Sequence, residues 1–85
     1  MKPGDIVRVT PFEYDGDGKL LYRPDWPFYL GEAEMCFPSG TLGLVVGFSK
    51  KDPRGKRTAG IVTLTIDGHT GWAYGEECEV VCAAG

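Results

Sequence analysis

GTLGLVVGF at residues 40–48 and GIVTLTIDGHTGWAYGEECEVV at residues 60–81 decide the fold class. In the first stretch Leu44, Val46 and Phe48 alternate with Val45 and Gly47. That is the period of two of a β-strand, with glycines where the backbone must bend or approach a neighbour closely. The second stretch opens on Ile61-Val62-Thr63-Leu64-Thr65-Ile66, the run richest in β-branched residues. Asp67-Gly68 supplies a two-residue hairpin turn, and Thr70-Gly71-Trp72-Ala73-Tyr74 returns from it. Gly75-Glu76-Glu77 is short enough for one 3₁₀ turn before a last strand from Cys78 to Cys82. No helix-length gap separates these strands, so the expected architecture is a small, closed, all-β barrel.

Upstream, Asp5 to Thr10 alternates apolar and polar residues after Pro3-Gly4, which predicts a first strand with Val7 and Val9 facing the core. Asp15-Gly16-Asp17-Gly18 separates two aromatic-flanked segments, as expected of a hairpin over residues 12–22 with a glycine-rich tip. Residues 24–40 contain Pro24, Pro27, Pro38, Gly31 and Gly40, which predicts a long structured loop, with Glu32-Ala33-Glu34-Met35 as one helical turn. About five antiparallel strands result, with an insertion over about residues 12–40.

The 85 residues predict one domain, and a chain this short buries only about 60% of its unfolded surface. Hydrophobic residues make up 42% and charged residues 25% of the chain, which argues against disorder, while 13 glycines favour turns over long helices. No apolar run approaches the roughly 18 residues of a membrane span, and the N-terminus lacks an apolar signal core. The expectation is a cytoplasmic protein with no membrane association. Three cysteines, an odd number, make a poor disulfide framework. The net charge of −3 is unevenly distributed: Lys50, Lys51, Arg54, Lys56 and Arg57 lie in one turn, and no Lys or Arg follows Ile66.

The order of glycine-rich strand, basic turn, strand, Asp-Gly turn, Gly71-Trp72 strand, 3₁₀ turn and final acidic-apolar strand resembles the SH3-like barrel superfamily. Within it, Gly4-Asp5-Ile6-Val7-Arg8-Val9 together with Gly71-Trp72-Ala73-Tyr74 and Glu79-Val80-Val81 resembles short SH3-like proteins of tailed bacteriophages. The resemblance covers residues 4–10 and 40–82 and implies a phage-associated binding module, located in the host cytoplasm or the virion. It does not extend to the peptide-binding SH3 domains, whose paired tryptophans and late proline are missing here. The opening strand is also compatible with KOW-type barrels, which bind nucleic acid through a basic loop. That alternative would use the turn at residues 50–57, although few positive charges lie outside it.

An inventory of reactive groups gives no catalytic centre, and no enzyme is expected. His69, the lone histidine, sits beside the Asp67-Gly68 turn, where a solvated imidazole is the ordinary outcome. Cys36, Cys78 and Cys82 have no base in view. Cys78 and Cys82, four apart in one strand, are expected on the same face about 13 Å apart, too far to share a metal or a disulfide. The resemblance implies a leucine-like core residue at the position of Cys78, and hence that Cys78 is a small buried hydrophobe, a role free cysteines commonly take. Asp15-Gly16-Asp17-Gly18 resembles the start of a calcium loop, but Lys19 takes the next ligand position. Neither a cofactor nor a metal is therefore expected.

The remaining signal is aromatic. Phe12, Tyr14, Tyr22, Trp26, Phe28, Tyr29 and Phe37 place seven of the ten aromatic residues between positions 12 and 37, beside six carboxylates. They can close one end of a small core, or they can form a partner-binding surface. Tyr14, Tyr22, Trp26, Phe28 and Tyr29 are the binding candidates, and Trp26, between Pro24 and Pro27, is expected to be the least buried. The expected partner is another protein or a second copy of the chain, the latter through docking of the basic turn on the acidic insertion.

Overall fold

A computed structural model describes residues 1–49 and 60–84. The basic turn of Lys50, Lys51, Arg54, Lys56 and Arg57 lies outside the described residues. Among those described there are nine strands: β1 (Ile6–Val9), β2 (Phe12–Tyr14), β3 (Leu20–Tyr22), β4 (Phe28–Leu30), β5 (Met35–Phe37), β6 (Leu42–Ser49), β7 (Ile61–Ile66), β8 (His69–Tyr74) and β9 (Cys78–Cys82). A 3₁₀ turn, Gly75–Glu77, joins the last two. No helix of the described residues is long and apolar enough to cross a membrane.

The expected long strands form one antiparallel sheet in the order β8-β7-β6-β1-β9. Asp67 at φ 50° and Gly68 at φ 80° give the β7–β8 hairpin two positive-φ residues, the conformation whose twist matches that of its flanking strands. One face of the sheet builds most of the core, with Val7 and Val9 from β1, Val45 from β6, Val62, Leu64 and Ile66 from β7, and Ala73 from β8. In β6 the alternation buries Gly43 and Val45, leaving Leu42, Leu44 and Val46 exposed on a surface where antiparallel sheets usually carry polar residues.

The sheet does not close into a barrel. β8 and β9 are its two edges, and the edge of β8 is occupied instead by the insertion. Gly31 donates its N–H to the Trp72 carbonyl at 3.0 Å and accepts the Trp72 N–H at 3.1 Å. These bonds satisfy backbone groups that a closing strand would otherwise pair.

Residues 24–40 are not a loop. β4 and β5 form a three-pair antiparallel hairpin, Phe28 opposite Phe37, Tyr29 opposite Cys36 and Leu30 opposite Met35. Its prolines lie outside the strands, at Pro24, Pro27 and Pro38, so they remove no ladder bond. Glu32 and Glu34 turn the chain with φ of 67° and 54°, which replaces the expected helical turn. The hairpin over residues 12–22 forms as β2 and β3, with the Asp15 carboxylate accepting the N–H groups of Asp17 at 2.8 Å and Lys19 at 2.9 Å.

Asp5 is the buried charged residue of the described chain. One carboxylate oxygen accepts the Ala84 N–H at 2.7 Å and the other the Lys2 N–H at 3.0 Å, tying both ends of the described chain to the residue that precedes β1. The Ala84 bond, followed by the Lys2 bond, holds this carboxyl below its ordinary value.

Candidate functional site

Strand alternation divides the insertion's aromatics. β4 turns Phe28 and Leu30 inward and Tyr29 outward, so Phe28 is 2% exposed and Tyr29 55% exposed. Phe28 therefore lies in the core and not on the surface with the other candidates: its ring packs against Phe37, 5.8 Å between centroids. The other candidates remain accessible, with Tyr14 at 51%, Tyr22 at 49% and Trp26 at 45%. Trp26 is thus the least exposed of the four, because the Arg23 guanidinium covers one side of its ring.

Each exposed aromatic has its own setting. Tyr14 meets Phe12 edge to face at 5.7 Å; Phe12 meets Tyr74 at 6.4 Å, and Tyr74 meets Trp72 at 5.3 Å. These contacts make an aromatic run from the first hairpin onto β8. Tyr22 donates its hydroxyl to the Glu76 carbonyl at 3.0 Å. It stands at a cleft of about 340 Å³ whose lining includes Arg8, Glu76, Glu77, Cys78 and Glu79. Glu77 accepts the Tyr74 N–H at 3.0 Å, and Arg8 pairs with Glu79 at 3.1 Å.

Trp26 belongs to a third setting. Arg23 lies 5.1 Å from the centre of the indole, within cation–π range, and its guanidinium is ion-paired to Glu13. Glu13 faces Leu21 across the β2–β3 ladder, so the first hairpin holds the arginine that holds the indole. Beside it runs a groove of about 370 Å³ lined by Pro24, Trp26, Pro27, Cys36, Phe37 and Pro38, with Asp25 also in its wall. Cys36 both lines this groove and pairs with Tyr29, so the surroundings of Trp26 and Tyr29 adjoin.

The reactive groups have ordinary surroundings. Burial pushes the Cys78 thiol up to about 12, with Glu77 adding to the effect, so it is protonated at neutral pH and packs against the core. The expectation that Cys78 and Cys82 share a face fails. A bulge at Val81 shifts the register from Val7 opposite Val80 to Ile6 opposite Cys82, and the extra residue reverses the facing of Cys82 relative to the start of the strand. His69 is exposed at the start of β8, its ring 6.4 Å from that of Phe37. Among the described residues, no three His, Cys, Asp or Glu side chains are grouped as metal ligands.

Three contributors escaped the sequence reading. Trp72 and Tyr74, two apart in β8 and hence on one face, carried a period-two signal that identifies the end of the aromatic run. Arg23, three residues before Trp26, carried none, because its role depends on Glu13 from the neighbouring strand. Comparison with protein-family models, with curated proteins and with solved structures gave no match.

Proposed function

We propose that this chain is a non-catalytic, SH3-like interaction module that binds a protein partner through the outward aromatics of its insertion. The observation that carries the reading is the division within β4–β5 and its flanks. Phe28, Leu30 and Phe37 complete the core, while Tyr14, Tyr22, Trp26 and Tyr29 remain about half exposed, although burying a large aromatic is the cheaper arrangement for a small domain. Exposed Tyr and Trp side chains are the residue types enriched at interface centres. The chain order of β6, β7, the Asp67-Gly68 turn, β8, the 3₁₀ turn and β9 supports the SH3-like reading of the scaffold.

Selection of binders from a random displayed-peptide library, with the best binder mapped by amide chemical-shift perturbation, tests this function. Perturbed amides are expected around Tyr14, Tyr22, Trp26 and Tyr29. Failure to recover any binder, or perturbation confined to the outer face of β6 at Leu42 and Leu44, would refute it.

A further inference from the structure

We propose that the groove beside Trp26 is the docking point of a cationic peptide segment, which inserts one apolar side chain against Trp26 and Phe37. The inference rests on the reading of the chain as a protein-binding module and assigns that module a principal contact and a partner chemistry.

Preorganisation is the first argument. The indole is half exposed, yet a guanidinium and the carboxylate that pairs with it hold one side of it in place. An anchor fixed before binding loses little freedom on complex formation, which is the property of residues that dominate interfaces. Pro24, Pro27 and Pro38 add rigid walls that carry no N–H donor, and Phe37, from the core, adds an aromatic surface. Such a lining favours an apolar side chain over a polar one.

Charge sets the rest of the partner. Residues 12–37 carry six acidic and two basic side chains, a net −4, and Arg23 is already committed to Glu13. Asp25 stands in the groove wall itself. An approaching basic segment is therefore attracted and an acidic one repelled. A second copy, which carries its own basic stretch at residues 50–57 within a net charge of −3, is the competing occupant that the test below separates.

Cys36 provides the reporter, since its exposed thiol lies in the groove while the exposed thiol of Cys82 lies on β9. The probes are two short peptides with the same pair of leucines, one flanked by lysines and arginines and the other by glutamates. In iodoacetamide labelling of the intact chain, the basic peptide is expected to protect Cys36 and not Cys82, at concentrations about tenfold below those of the acidic peptide. Trp26→Ala should weaken that protection about tenfold, and Asp25→Asn about threefold with the fold untouched. Equal protection by the two peptides, or none by either, overturns the proposal. Protection of Cys36 that grows with protein concentration alone also overturns it, in favour of a second copy. If library-selected binders instead shift only Tyr14 and Tyr74, the interaction module stands and the groove does not.

Discussion

The five-stranded sheet and the insertion contribute to one core by different means. In the sheet, small β-branched and aliphatic residues bury one face of long ladders, and each strand is held by two neighbours or by an edge pairing of several residues. In the insertion, three-residue strands cannot bury a face of their own, so Phe28, Leu30 and Phe37 are its buried contribution, with Ala33 and Met35 packed against the core. The difference teaches that the insertion is docked at a few points, which leaves Tyr14, Tyr22, Trp26 and Tyr29 exposed. Phe28 and Tyr29 break this comparison most sharply, because they are adjacent and face opposite ways. Phe28→Ala should cost about 3–5 kcal/mol in urea unfolding, as loss of a core phenylalanine does. Tyr29→Ala should change stability by no more than ~0.5 kcal/mol, as expected of an exposed side chain. Equal losses from the two would show that the faces are not divided as described.

Glycines sharpen the same contrast at the seam between the regions. A Cβ on Gly71 would collide with the Gly31 carbonyl and come within 2.7 Å of Leu30 Cγ, and one on Gly31 would meet the Trp72 indole. These two positions need glycine for close backbone approach, since the insertion sits on the edge of β8 there. Gly71→Ala should therefore destabilise by about 1–3 kcal/mol, the usual cost of overpacking. Gly16, at the tip of the first hairpin, has open space where its Cβ would stand. Gly16→Ala should leave the urea midpoint nearly unchanged, and an effect as large as that of Gly71→Ala would refute the seam.

The same physics governs how far each region could be read from its residues. The sheet was legible because its strands are long enough for period-two alternation to repeat, and because Asp67-Gly68 forces a particular turn. The first hairpin was legible from its Asp-Gly tip. β4 and β5 were not, since three residues hold less than two periods and the surrounding prolines suggest an interrupted chain. Phe28 was misplaced for that reason: whether it faces in or out depends on a one-residue phase that only the pairing with Phe37 fixes. The open edge was equally hidden, because bonds between Gly31 and Trp72 join residues 41 positions apart, with no periodic signal at Gly31. The Trp26 setting was half legible: the indole stood out between prolines, but Arg23 and Glu13 around it did not.

Two aspartates give the smallest test of the comparison. Asp5, directly before β1 of the sheet, uses its carboxylate to join Lys2 and Ala84, groups from opposite ends of the described chain. Asp15, in the insertion, uses its carboxylate within its own turn, on Asp17 and Lys19. Only the first restrains distant parts of the fold, so Asp5→Asn should lower the melting temperature at pH 7, whereas Asp15→Ala should leave it nearly unchanged, its effect on stability being that of a surface change, ~0.5 kcal/mol. The pH dependence has a definite sign. A carboxyl whose folded value lies below its unfolded value stabilises the fold at pH above the unfolded value and loses that contribution as pH falls through the folded value. For Asp5 the unfolded value is close to the ordinary 3.8. The gap in melting temperature between the wild type and Asp5→Asn should therefore stay constant from neutral pH down to about that point and narrow below it. A gap that persists unchanged well below pH 3.8 would mean that the asparagine is damaging through shape rather than charge, and that the ends of the sheet do not depend on an ionised clamp.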